Sequence, residues 1–252
     1  MKKLFSSDKL YKIFIYVALI TLAVSIIVPV AWVFMASIKE NSEFYGNPWS
    51  IPAGIYLQNF VNAFEQANMG EYLLNSILTT AMALVILLVV SLPAAYVLAR
   101  YNFKGRRFFN TLFMAGVFIN VNYIVVPIFL MLLDWDDFIY ELLGGNFFLN
   151  NIFVLAVVYA ATAIPFTVYL LSGYFKTLPK AYEEAALIDG CGYYKTMVRV
   201  MIPMAKPSII TVILFNFLSF WNEYIIAYTL MDGNDTLAMG LKNLMAVQKT
   251  AT

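Results

Sequence analysis

The sequence predicts an all-α fold, a polytopic transmembrane helical bundle, and three observations carry that prediction. Of its 252 residues, 62% are hydrophobic and 12% charged, with a mean hydropathy of +0.76. A soluble domain carries about 45–50% apolar and about 25% charged residues. Five apolar stretches are long enough to cross a hydrocarbon core of about 30 Å, which takes about 20 helical residues. The charges gather between those stretches. The same counts exclude other classes. A net charge of +1 offers no bulk field for nucleic acid. With no histidine and one cysteine, Cys191, the chain has no Ser-His-Asp or Cys-His group, no histidine zinc site and no intrachain disulfide.

The spans are read at 13–38, 73–99, 108–133, 152–171 and 209–231. Helix is the expected conformation, because lipid offers no partner for a free backbone N–H or C=O. The first span follows Lys2, Lys3, Lys9 and Lys12. It is too long for a signal-peptide core of about 7–15 residues and shows no small-x-small cleavage site, so it is read as retained. Segments 1–12, 100–107 and 173–206 hold thirteen of the sixteen Lys/Arg, and only Lys39, Lys242 and Lys249 lie opposite. The positive-inside rule therefore puts the N-terminus in the cytoplasm. All four Trp (Trp32, Trp49, Trp135, Trp221) fall on the outer side, as an aromatic belt requires. Segment 134–151, with Asp134, Asp136, Asp137 and Glu141 and no basic residue, is read as an outer loop, either facing an extracytoplasmic partner as segment 39–72 does or serving as a simple solvated connector.

Five spans from an inner N-terminus place the C-terminus outside, and the tail 240–252 is too short and polar to return. Either the chain ends outside or a sixth span is missing. Pro29, Pro93, Pro127 and Pro165 fall within spans, where proline is expected to kink the helix. No internal repeat or linker divides the chain, so one membrane domain over 1–252 is expected.

The long basic loop 173–206 reads as two short helices around a break. Pro179 suits a first turn with Thr177 as its cap, and Glu183 and Glu184 suit the positive end of the helix dipole. Asp189-Gly190 and Gly192 then stop the helix. A second amphipathic stretch over 193–202 ends at Pro203. Ala185 and Ala186 are small enough for another surface to approach.

The order of residues in this loop is specific. Glu184-Ala185-Ala186, three residues, Gly190, nine residues, Val200, one residue and Ile202-Pro203 resembles the signature loop of ABC importer permeases. Val200 stands where Ile is usual and Ile202 where Leu is. The resemblance extends over about residues 55–245. Leu57-Gln58-Asn59-Phe60, Tyr72-Leu73-Leu74-Asn75-Ser76 and the basic turn from Ala99 to Arg106 look like elements of that family. Ile164-Pro165-Phe166, Gly173-Tyr174-Phe175 and Trp221-Asn222-Glu223-Tyr224 are similar to the carbohydrate-uptake, maltose-type G-like subgroup.

The resemblance implies a type I ABC importer permease, usually of six spans, so a sixth span after 237–247 is expected to be missing. It implies half of the pathway for a mono- or oligosaccharide delivered by an extracytoplasmic sugar-binding protein, in a bacterial or archaeal plasma membrane. The chain has no Gly-x-x-x-x-Gly-Lys-Ser/Thr loop. ATP and Mg are therefore expected on a partner, a cytoplasmic ABC ATPase dimer, and this chain is expected to bind no cofactor or metal and to catalyse no reaction. Membrane lipid and a second, F-like permease are further expected partners, and nucleic acid is not. Glu184, Ala185, Ala186, Asp189, Gly190 and Pro203 are the implied ATPase-coupling residues.

For the solute pathway the candidates are Asn216, Ser219, Trp221, Asn222, Glu223 and Tyr224, because polar groups inside a membrane usually face a cavity or a partner. Asn216, Ser219 and Glu223 have the i, i+3, i+7 spacing of one helix face, and Trp221 and Tyr224 offer rings for sugar stacking. Glu223 is equally read as an interfacial pair or a partner contact. The alternative substrates are a polyol or glycerol phosphate. A secondary carrier is a further alternative, although it calls for charged relays in several spans and only Glu223 is present.

Overall fold

A computed structural model gives the fold and describes residues 7–66, 68–145, 147–233 and 236–242. Lys2, Lys3, Lys249 and the tail beyond residue 242 lie outside the described residues. Among the described residues every regular element is helical. The chain divides into two compact units, 1–68 and 69–252.

The first unit holds α1 (Ser7–Ser37), α2 (Asn41–Gly46) and α3 (Gln58–Gln66). Tyr11–Ser37 of α1 is long and apolar enough to cross a membrane. Past its end the chain forms a clasp. The buried Lys39 donates through Nζ to the carbonyls of Asn47 (3.1 Å) and Pro48 (3.2 Å) and to Ser50 Oγ (3.0 Å). Three oxygen acceptors use the three donors of an ammonium, which makes its burial tolerable. The Asn59 side chain donates to the carbonyls of Ser37 (3.1 Å) and Lys39 (2.6 Å), closing the helix end.

The second unit is built on α4 (Met69–Arg100), α5 (Arg106–Val117), α6 (Val121–Leu143) and α7 (Ile152–Thr177). The basic loop follows as α8 (Ala181–Ile188), α9 (Tyr193–Thr196), a π-helical turn (Met197–Met201) and α10 (Ile202–Met204). The chain then continues into α11 (Lys206–Trp221) and α12 (Ile225–Leu230). The α4–α7 pair is the main packing contact. Small residues along it, Ala83, Ala95, Ala156 and Ala160, let the two backbones approach closely. One apolar cluster gathers around Leu87, Leu155 and Tyr159, and a second around Tyr96, Phe175 and Met201.

Met69–Arg100 and Ile152–Thr177 are also long and apolar enough to span, and two bent helix pairs bring the count to five if each is one span. The third and fifth spans are not continuous helices, as the sequence led us to expect. In place of one helix over 108–133, α5 and α6 meet at 103°. The amides of Phe118 and Ile119 fold back onto Ala115 and Gly116 (3.1 and 3.2 Å). Asn120 then caps α6 by accepting from the Asn122 amide at 3.0 Å. In place of one helix over 209–231, α11 ends where Asn222 Nδ2 donates to the Leu218 carbonyl at 2.7 Å, and α12 starts after a break.

The four expected prolines do lie inside α1, α4, α6 and α7. The sharp bends fall elsewhere, at 118–120 and at Ala205, where the chain turns by 73° between Pro203 and Pro207. Thr177 is not a cap for α8. Its hydroxyl donates to the Tyr174 carbonyl at 2.7 Å, and Lys180 occupies the cap position. The acidic segment is partly helical, with Asp134, Asp137 and Glu141 exposed. α6 runs on to Leu143, so its acids are helical, and Asp136 is only 2% exposed.

Candidate functional site: a basic loop and a cavity between helices

The first candidate site is the basic loop. α8 ends in a Schellman motif. Gly190 sits at φ +75°, the left-handed region that glycine enters without steric cost. The Cys191 amide reaches the Ala186 carbonyl at 2.8 Å and the Gly190 amide reaches Leu187 at 3.0 Å. Gly190 of the motif therefore has a backbone job. Ala186 is buried against the fold, whereas Glu184, Ala185, Asp189 and Pro203 are exposed. Leu187 and Ile188 are 64% and 86% exposed, so α8 presents apolar side chains outward. The second half of the loop is deeply held. Met197, Met201 and Ala205 are buried in the α4–α7 cluster with Tyr96 and Phe175.

The second candidate is a cavity of about 340 Å³ bounded by the end of α5, the middle of α7 and α11. Asn216, Ser219 and Glu223 all line it, although Glu223 lies past the end of α11. The non-helical turn, not a continuous helix face, brings them together. Tyr159, Thr162 and Phe166 of α7 join them, and the sequence reading missed these three. They sit in an apolar run with nothing local to single them out.

Two lining side chains are already committed. Buried Asn216 donates to Thr167 Oγ1 (3.2 Å) and to the Val212 carbonyl (2.8 Å), tying α11 to α7. Glu223 Oε1 accepts from the amides of Ile225 (2.9 Å) and Ile226 (3.1 Å), serving the first orphan donors of α12. Gly116 closes one wall; a Cβ there would lie 2.9 Å from the Pro165 ring.

Trp221, Asn222 and Tyr224 are not in the cavity lining. Trp221 stacks on Phe217 at 5.6 Å and Asn222 caps α11. Tyr224 stacks on Tyr228 at 5.5 Å, with the Lys242 ammonium over both rings and bonded to the Tyr224 hydroxyl. Elsewhere Ser76, from the Asn75-Ser76 element, accepts the Leu237 amide at 2.8 Å. A Cβ at Gly240 would overlap the Tyr72 ring. That element holds segment 236–242 against α4.

Comparison with known proteins decides the family. The profile of the binding-protein-dependent transport system inner membrane component matches residues 91–248. The chain belongs to this family. The matched region runs from the last third of α4 through both candidate sites. Among relatives of this permease family, the diacetylchitobiose uptake system permease NgcG of Streptomyces coelicolor is 36% identical over 230 residues, covering 91% of this chain and 72% of the relative. The multiple sugar-binding transport system permease MsmG of Streptococcus mutans is 28% identical, covering 94% and 81%. A crystal structure of a bacterial ABC transporter involved in import of the acidic polysaccharide alginate aligns with TM-score 0.77 and 25% identity, over 96% of this chain and 81% of that one. The chain is therefore a multi-pass membrane protein and the permease part of an ABC importer that works with an ATPase and a substrate-binding protein.

Proposed function

We propose that this permease carries a carbohydrate, a mono- or oligosaccharide, through a pathway it shares with a second, F-like permease. The observation that carries the reading is the cavity. Thr162, Ser219 and Glu223 offer hydroxyl and carboxylate groups beside the rings of Tyr159 and Phe166, a mixture suited to a sugar's hydroxyls and its C–H faces. The relatives that handle diacetylchitobiose and multiple sugars support the same class. ATP hydrolysis belongs to a separate ATPase dimer, which binds ATP and Mg, and loop 173–206 is the contact that receives its motion. Glu184, Ala185, Asp189, Gly190 and Pro203 are the loop's coupling residues, and Ala186 seats α8 on the fold. The charge distribution supports a cytoplasmic N-terminus and a cytoplasmic basic loop. Coupling needs two membrane arrangements that differ in affinity for the closed ATPase, and a loop rigid enough to bias one of them.

The test is reconstitution of this chain with its second permease, ATPase and binding protein in vesicles. Uptake of labelled diacetylchitobiose or another oligosaccharide should require ATP. Ser219→Trp, which fills the cavity, should abolish uptake while the complex still assembles. ATP-independent uptake driven by an ion gradient would overturn the reading in favour of a carrier.

A further inference from the structure

α8 has few ties of its own to the membrane helices. It is eight residues long, no side chain caps its start, and among its described residues Ala186 alone is classed as buried. One side chain in its first turn reaches further. The Glu183 carboxylate accepts from the Tyr96 hydroxyl at 2.9 Å and lies 3.6 Å from Arg100 Nε. Tyr96 and Arg100 occupy the last turns of α4, and Arg100 is its final residue. The Arg100 side chain is 6% exposed and that of Glu183 19%, so the pair is shielded from water and from screening by salt. Arg100 Nη2 donates to the Leu178 carbonyl at 2.6 Å, fixing the point where the chain leaves α7. One guanidinium therefore holds both the entry to the loop and the helix that follows.

The packing around the pair is aromatic and closed. The Tyr96 ring meets Phe175 at 5.6 Å, and Tyr101 meets Tyr193 at 4.8 Å on the far side of the loop. At 3.6 Å the Arg100–Glu183 approach is longer than a hydrogen bond of about 2.7–3.2 Å, and Arg100 Nε makes no hydrogen bond among the described residues. The contact therefore acts through charge, and a neutral side chain of the same shape cannot replace it.

We propose that Glu183 is a positioning residue for coupling: held by Tyr96 and Arg100, it makes α8 move as one body with α4. This rests on the reading that the loop docks on the ATPase, and it adds how motion received at α8 enters the membrane helices. The neighbouring Glu184 of the motif points outward and is free for a partner; Glu183 points inward and carries the load.

The experiment uses the assembled transporter in phospholipid nanodiscs, with Cys191→Ser and spin labels at exposed Tyr182 on α8, outside the docking residues, and Val89 on α4. The width of the label-to-label distance distribution reads the rigidity of α8 against α4. Uptake per ATP hydrolysed, measured on the same variants in vesicles, reads coupling. Glu183→Gln should at least double the width and lower uptake per ATP about tenfold, and Glu183→Asp, which keeps the charge, should recover most of both. An unchanged width in Glu183→Gln overturns the anchor. A doubled width with uptake per ATP within twofold of the unaltered chain overturns the coupling role of the loop itself. If Glu183→Gln fails to assemble, Arg100→Gln removes the same charge contact from the α4 side, and an unchanged width there overturns the proposal equally.

Discussion

Two charged connecting regions of this protein are secured in opposite ways. The acidic region around 134–151 is held by one buried carboxylate. Asp136 accepts from the amides of Phe147, Phe148 and Leu149 at 2.6, 2.6 and 2.7 Å, so a single side chain closes the chain back onto α6. The basic region 173–206 is held by apolar burial of Met197, Met201 and Ala205, with the Glu183–Arg100 pair at its edge. The acidic region consumes a charge internally to finish its own fold. The basic region hides apolar side chains in its second half and displays Leu187 and Ile188 in its first. Both regions expose apolar side chains, Phe138 and Phe147 in the acidic one and Leu187 and Ile188 in the basic one, but only the basic one sets them beside the Glu184–Gly190 spacing.

Four substitutions probe that contrast. Asp136→Ala should be the most damaging, because it strands three backbone donors at about 1–3 kcal/mol each; we expect a loss of about 4 kcal/mol or more. A drop in the melting temperature of the purified protein measures it, and an unchanged value would show that water replaces the carboxylate. Met201→Ala attacks the other region through its fully buried anchor and should cost about 2–4 kcal/mol by leaving a cavity. Denaturation of the same preparation checks this, and a loss below that of an exposed methionine would remove the packing argument. Gly190→Ala forces a Cβ into the left-handed region and should cost about 1 kcal/mol. Hydrogen exchange should then quicken at the amides of positions 190 and 191 and nowhere in α4. Ile188→Asp should have the smallest effect on stability, within about 0.5 kcal/mol, since the side chain is on the surface. Under the proposed function it should nonetheless weaken ATPase association at least tenfold in a pull-down. Full association with the aspartate in place would leave the exposed patch without a partner.

Much of this protein is legible in its sequence because hydropathy and charge act along the chain. The apolar runs locate the spans, and the Glu184–Gly190 spacing locates α8 and its left-handed end. Gly190 is readable because its requirement is local, a backbone conformation other residues avoid. The bend after Val117 is not readable in the same way. Hydropathy counts apolar residues without registering direction, and the 103° turn depends on one Asn120 cap that looks like any polar residue in a span. The candidate pathway residues divide by the same logic. Asn216, Ser219 and Glu223, singled out by their polarity, line the cavity, while the rings of Trp221 and Tyr224 stack on Phe217 and Tyr228 instead.

The sequence alone determined the membrane class, the five apolar runs, the loop with its glycine stop, and the exclusion of histidine-based chemistry. Each follows from composition or from spacing over a few residues. Only the tertiary structure decided which acid does what. Glu183 and Glu184 are adjacent and chemically identical, yet one faces Tyr96, 87 positions away, and the other faces outward. Asp136 looks no different from Asp134 or Asp137 until the chain returns to bring three amides to it. Partners so distant along the chain are chosen by packing, and packing leaves no periodic trace in the sequence.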